Sequence, residues 1–502
     1  MTADMRVDIL IVGAGFSGLG MAIQLRRAGI ESFLVIEKNE DLGGTWHENR
    51  YPGCACDIPS HLYSFSFDRN PEWSRMYAPQ REIWEYLRDC ARRYGIVPYI
   101  RFSTPLQEAV WDDAEGLWRV TAGDGLRIEA RVLVTGMGAL HVPHYPELPG
   151  LERFTGRSFH SAAWDSAAPL DGKNIAVIGT GASAVQFMPQ IAPRAGRLYH
   201  FQRTPAWIVP KLDHAIPDRW RQRFRRLPGV MQLFRWLLFW SLEIRVSSFL
   251  GNGRVRRLGT KVAQRHLEHQ IADPKLRAAL TPNYEFGCKR VLLSSDFYPA
   301  LTLPNVELVT EPIAEVREKS IVTADGKERL IDVLIFGTGF HATVLLHGAS
   351  ILGRGGVSFA DAFRQRRSAF LGVTARGFPN LFMLLGPNTG LGHNSVVLMI
   401  ESQIRYVMSC LKLMRRKGRS VMEVREDCQE RFGDFLRKRL AGTVWQAGGC
   451  RSWYQDPATG ENPTIWPGSV GDYQRRTRSV SAADYELRGR RDGVLGKRSG
   501  IR

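Results

Sequence analysis

Cysteine is scarce in this 502-residue sequence, and the seven that occur are badly spaced for chemistry. Cys54 and Cys56 stand too close for the usual two-residue redox spacing, and no second pair completes a zinc site. The cysteines make no disulfide framework and predict a reducing, cytoplasmic location. No His, Cys and carboxylate group has metal-ligand spacing, so no metal is expected. Long apolar runs are missing as well. The strongest candidate, GVMQLFRWLLFWSLEI from Gly229 to Ile244, is interrupted by Arg235 and Glu243, whereas about twenty uninterrupted residues are needed to cross a bilayer. It is expected to be a buried helix of a small subdomain, with Trp236 and Trp240 in the core. The five arginines before it, Arg219, Arg221, Arg223, Arg225 and Arg226, leave peripheral contact with a membrane surface as the alternative. The opening MTADMRVDIL has no signal-peptide pattern, because its apolar run enters a glycine loop at once.

Acidic charge is in the minority, and the formal net charge is +18. Much of the excess lies in those five arginines and in a C-terminal stretch holding Arg475, Arg476, Arg478, Arg488, Arg490, Arg491, Lys497, Arg498 and Arg502. Neither run carries a nucleic-acid-binding motif, so no nucleic-acid partner is expected. They read as a solvated helix face and a basic flexible tail over residues 472–502.

Glycine, in contrast, is plentiful and clustered. DILIVGAGFSGLGMAIQLRRAG reads as a buried strand from Asp8 to Val12, a loop Gly13-Ala-Gly15-Phe16-Ser17-Gly18, and an amphipathic helix. Such glycines turn the chain tightly, admit a pyrophosphate to the backbone and seat helix against strand. The next strand, SFLVIE, ends on Glu37, where a carboxylate would hold ribose hydroxyls. The pattern returns in NIAVIGTGASAVQFMPQIA, with Gly179, Thr180, Gly181, Ala182, Ser183 and Ala184. After the following strand, LYHFQRTP, Arg203 and Thr204 stand where the acid would be, and an arginine there suits the 2′-phosphate of NADP. The first loop is thus expected to hold FAD or NAD and the second NADPH. Each has a later companion strand ending in glycine, ARVLVTGMGAL and DVLIFGTGF. The doubling predicts an α/β fold of two nested Rossmann-like dinucleotide-binding domains and a flavoprotein that passes hydride. Flavin disulfide reductases share that layout but need a CxxC or CxxxxC pair over the flavin, which is missing. Molecular oxygen is the next acceptor to consider.

FTGRSFHSAAWD, from Phe154 to Asp165, fits FxGxxxHxxxW[PD] with Phe154, Gly156, His160, Trp164 and Asp165 in place. GGTWHENRYPGCACD, from Gly43 to Asp57, fits [AG]GxWxxxx[FY]P[GM]xxxD. In both, and over most of the chain from Val7 to about Pro467, the sequence resembles the type I Baeyer–Villiger monooxygenases, a family of class B flavoprotein monooxygenases. The resemblance implies FAD, NADPH and insertion of one atom of O2 beside a ketone carbonyl to give an ester or lactone. The chemistry proceeds through a peroxide on flavin carbon 4a that must remain an anion, so a fixed cation in a sheltered site is required. Arginine suits the task because it keeps its proton.

The segment FGCKRVLLSSDFYPAL resembles the family stretch that supplies this arginine, which implies Arg290 as the catalytic cation, Asp57 as the partner that orients it, and Lys289 assisting Arg203 at the NADP phosphate. The resemblance also implies flavin contacts from Lys38, Gly44, Thr45, Trp46, Asp57, Tyr63 and Val110, and from the backbone near Val396 in GPNTGLGHNSVV. On the NADP side it adds Asp57, Gln186, Arg290 and the lid residue Trp453, and it places His160 at a hinge between the nucleotide domains. The lid, SWYQDPATGENPTIWPG, departs from the family's cycloalkanone enzymes, which leaves the ketone open. The expected architecture is an FAD domain over residues 1–145 and 345–470, an NADPH domain over 150–210 and 285–344, and a helical insertion at 211–284. The rival readings are an N- or S-hydroxylating flavin-containing monooxygenase, and a nucleotide-binding redox sensor or basic membrane-associated partner.

Overall fold

The computed structural model describes residues 3–251, 253–341, 348–366 and 368–489. Its two largest sheets each hold, in an inner position, one of the strands that precede a glycine loop. In the first sheet the strand Met5–Val12 lies between Phe33–Ile36 and Leu126–Thr135, parallel to both. The full order runs from Ser350–Leu352 through Leu106–Asp112, Leu117–Ala122, Leu126–Thr135, Met5–Val12 and Phe33–Ile36 to Ile100–Arg101. Leu381–Met383 also pairs with Leu126–Thr135. Ile9, Leu10 and Ile11 are fully buried, as expected for a continuous apolar strand covered on both faces. The second sheet is parallel throughout, in the order Val306–Val309, Arg197–Phe201, Asn174–Ile178, Val333–Phe336, Arg157–His160.

Between residues 211 and 284 the chain is mainly helical, with Asp218–Arg226, Pro228–Glu243, Val246–Phe249, Gly253–Gln270 and Pro274–Ala279. The Pro228–Glu243 helix corrects the expectation of a buried apolar helix. Trp236 and Trp240 are 54% and 45% exposed, while the two charged residues, Arg235 and Glu243, face inward.

The expected flexible tail is also corrected, as far as residue 489. Val470–Arg476 is a helix, and Tyr485–Arg488 pairs antiparallel with Val421–Val424. Tyr473 and Thr477 are fully buried, and the Tyr473 hydroxyl donates to the Leu371 carbonyl at 2.7 Å. A few well-placed aromatics anchor the segment although arginine dominates its composition. Arg490, Arg491, Lys497, Arg498 and Arg502 lie outside the described residues.

Candidate functional site

The two glycine loops share one geometry. A Cβ on Gly13 would stand 2.7 Å from the carbonyl oxygen of Gly136, and one on Gly179 would collide with that of Gly337. Each loop therefore packs its first glycine against the end of the companion strand named above. Both glycines also have positive φ, 96° and 112°, which glycine adopts without strain. The helices that follow, Phe16–Arg27 and Ala182–Ile191, start at Gly15 and Gly181 with no side chain capping either end. Uncapped amides at a helix start are an anion site, so the donors present fit a dinucleotide pyrophosphate at each loop.

Around the first loop, Glu37 is buried and accepts from the amides of Ala14 at 2.7 Å and Asn39 at 3.0 Å. Burial raises its pKa, and those amides pull it back. Lys38 pairs with Glu48 at 2.7 Å. Gly44 and Thr45 open the short Thr45–Glu48 helix opposite Gly15. Trp46 donates to the Tyr63 hydroxyl at 3.3 Å, and Tyr63 meets Phe16 edge-on at 5.2 Å. Val110 sits in the Leu106–Asp112 strand. Val396 begins the Val396–Lys417 helix, which Ser395 caps.

Arg290 donates through Nε and Nη2 to one oxygen of Asp57, at 2.8 and 2.6 Å. That carboxylate raises the Arg290 pKa despite burial, so the guanidinium is a permanent charge. Its third nitrogen, Nη1, reaches the Leu391 carbonyl at 3.5 Å. Tyr454, 1% exposed, lies close enough for the Arg290 charge to act on its hydroxyl, and it packs on Trp453 at 4.3 Å. Sequence reasoning passed over Tyr454, which no motif distinguishes from its neighbours. The thiols beside this pair are quiet: burial pushes Cys54 up to about 12 and raises Cys56 as well, which suits no thiol redox role.

A disulfide joins Cys288 to Cys450, against the expectation of reduced cysteines with no disulfide framework. The partners are 162 residues apart, a separation no spacing rule reveals. It links the segment of Lys289 and Arg290 to the segment of Trp453.

At the second loop, Arg203 is exposed and close enough to Lys289 to lower its pKa, burial being the larger cause. Neither has a carboxylate partner among the described residues, and a pair of cations so placed fits a phosphate. The Thr180 hydroxyl donates to the Thr204 carbonyl at 2.8 Å. Ala182 and Ser183 form the first turn of the helix. Gln186 faces the 51–57 segment instead of the loop. It accepts from the Tyr51 hydroxyl at 2.9 Å and donates to the Ala55 carbonyl at 2.9 Å.

The Phe154 to Asp165 motif is a packing unit. A Cβ on Gly156 would strike the Asp332 carbonyl and lie 2.5 Å from the Phe154 ring. Trp164 packs on Phe159 and Phe187 at 5.1 and 5.3 Å, and Asp165 pairs with Arg157 at 3.0 Å. His160 ends the edge strand fully buried between Tyr145 and Phe340, its Nδ1 accepting from the Ala162 amide at 3.1 Å. Burial pushes its pKa down to about 4.

Two dinucleotide folds, with a half-buried arginine–carboxylate pair joining the segment of Asp57 to that of Arg290, define a nucleotide-dependent oxidoreductase. The sequence matches the flavin-binding monooxygenase-like family over residues 6–352. It is 48% identical to a Baeyer–Villiger monooxygenase of Pseudomonas aeruginosa over 97% of this chain and 92% of that protein. A Baeyer–Villiger monooxygenase of Streptomyces coelicolor is 43% identical over 96% of this chain and 92% of its own length. Among solved structures, cyclohexanone monooxygenase from Rhodococcus sp. Phi1 bound to NADP+ superposes with a TM-score of 0.87 at 28% identity, covering 96% of this chain and 99% of that one. Oxidized steroid monooxygenase bound to NADP gives a TM-score of 0.84 at 28% identity, with the same coverage. The chain is thus a flavin-binding monooxygenase by class. Within that class it belongs to the Baeyer–Villiger monooxygenase family.

Proposed function

We propose that this chain uses FAD and NADPH to insert one oxygen atom of O2 beside the carbonyl of a ketone, giving an ester or lactone. The observation that carries the reading is the Arg290–Asp57 pair, held by two hydrogen bonds to one carboxylate oxygen. When bound, the flavin and nicotinamide supply hydride transfer and oxygen activation. Arg290 supplies a fixed positive charge where an oxyanion develops on the former carbonyl oxygen of the ketone, which is worth most in a site shielded from water. Asp57 aligns the guanidinium and leaves Nη1 as its most weakly used donor. Arg203 and Lys289 bind the 2′-phosphate, and the amides after Gly15 and Gly181 bind the two pyrophosphates. Trp46 and Tyr63 would contact the flavin and Trp453 the nicotinamide cofactor, while His160 would hold the junction of the nucleotide folds as a neutral ring. The ketone is a small molecule whose class is set by side chains around these groups.

Arg290→Ala tests the assignment. Anaerobic bleaching of the flavin by NADPH is expected to survive, while ester formation from a panel of linear, cyclic and aromatic ketones falls by about a hundredfold or more. Ester formation near the wild-type rate would remove Arg290 from the mechanism. Sulfoxide or hydroxylamine as the sole product of the wild-type enzyme would favour the hydroxylating rival.

A further inference from the structure

The Pro228–Glu243 helix has two apolar faces, and only one is covered. On the inner face, Arg235 donates to the His61 carbonyl and to the Ser64 hydroxyl, the latter at 2.9 Å. Glu243 accepts from Asn394 and from the Gly471 amide, both at 2.9 Å. Phe234 packs with Phe224 against His61. The charges that interrupt the apolar run thus bolt the helix to the segments that lead to Tyr63 and Val396. On the outer face, Leu233, Trp236, Leu237, Trp240 and Ile244 recur at helical spacing, each at least 45% exposed. Leu227, just before the helix, is also 54% exposed. Large apolar side chains grouped in this way mark an interaction surface rather than scattered surface residues.

Charge selects the occupant. Residues 218–257 contain ten arginines against two acids, Asp218 and Glu243, and Glu243 is buried. Arg221 pairs with Asp218 and Arg225 with Glu72, but Arg219, Arg226 and Arg245 have no carboxylate partner among the described residues. Arg223 lies over the Trp220 ring at 4.9 Å. A second copy seated on this face in a symmetric dimer would place the same arginine-rich helices together. An anionic bilayer satisfies both features, taking the aromatic and aliphatic side chains at the headgroup boundary while its phosphates neutralise the arginines.

We propose that the Asp218–Arg226 and Pro228–Glu243 helices form a docking surface for an anionic phospholipid bilayer, with the outer face of the second helix inserted at the interface. Contact at that depth leaves the rest of the chain outside the membrane, and among the described residues no helix is long and apolar enough to cross one. This inference stands apart from the reaction proposed above.

The test is co-sedimentation of the flavin-loaded enzyme with vesicles of phosphatidylcholine containing phosphatidylglycerol, compared with phosphatidylcholine alone. Binding is expected to the first and to weaken as salt is added. The double variant Trp236→Ser/Trp240→Ser should lose at least about tenfold in lipid affinity, while Trp236→Leu/Trp240→Leu retains it. Arg219→Gln/Arg226→Gln should lose the preference for the anionic vesicles. All three pairs should keep flavin content and turnover, because these side chains touch no part of the site. Failure of the wild type to sediment with anionic vesicles at low salt would overturn the proposal, as would undiminished binding by the serine variant. A wild-type dimer in sedimentation velocity that the serine variant converts to monomer would assign the face to a second copy instead.

Discussion

Lys289 and Arg203 are two cations that the fold brings together without a carboxylate to separate them. Burial and the neighbouring guanidinium both depress the Lys289 pKa, so a bound anion would relieve both. Replacing either by alanine is expected to raise the KM for NADPH by about ten- to a hundredfold, as loss of a charge-assisted contact does, with little effect on NADH. Parallel titrations with the two nucleotides check this, and an unchanged preference would displace the phosphate from the pair. At this scale the sequence was informative where a residue type is forced by chemistry. The missing acid after the second loop singles out Arg203, which lies near Lys289, and the resemblance pairs Arg290 with Asp57, which are hydrogen-bonded. Tyr454 could not be found, because what distinguishes it is the approach of Arg290 from 164 residues earlier. The Cys288–Cys450 pair was hidden for the same reason.

Among the elements, the motif around His160 changes meaning once its backbone is seen. Its glycine is required by the Asp332 carbonyl and the Phe154 ring, and its tryptophan and aspartate hold the turn that follows the strand. Gly156→Ala should therefore destabilise the fold by about 1–3 kcal/mol through overpacking, measured by chemical denaturation. Stability equal to wild type would show that the turn shifts freely. The strand–loop–helix units were legible because continuous apolar runs and glycine spacing are local properties. The Pro228–Glu243 helix departs from the expected buried helix because the charges that interrupt its apolar run are on the covered side. There carbonyls and amides meet the polar groups of Arg235 and Glu243, and the tryptophans are left outside. The C-terminal segment misled in the opposite way, its arginine content concealing the buried Tyr473 and Tyr485.

For the whole molecule, protonation ties these buried parts together. Burial pushes His61, His160 and His200 each down to about 4 from an ordinary value of 6.5. Above that ordinary value neither the folded nor the unfolded chain protonates them. As pH falls from 6.5 towards 4, the unfolded chain takes up protons that the folded chain refuses, so this part of the stability is lost. Below about 4 both states are protonated and the loss levels off. The thermal midpoint should therefore decline through that window, and His200→Asn should make the decline shallower. A variant as steep as wild type would show that His200 does not contribute. The bond between Cys288 and Cys450 has another consequence at this scale. It closes residues 288–450 into a covalent ring that takes in strands of both large sheets. A single backbone cut anywhere inside that ring leaves the two halves of the enzyme on one molecule, and they part only when the sulfurs are reduced.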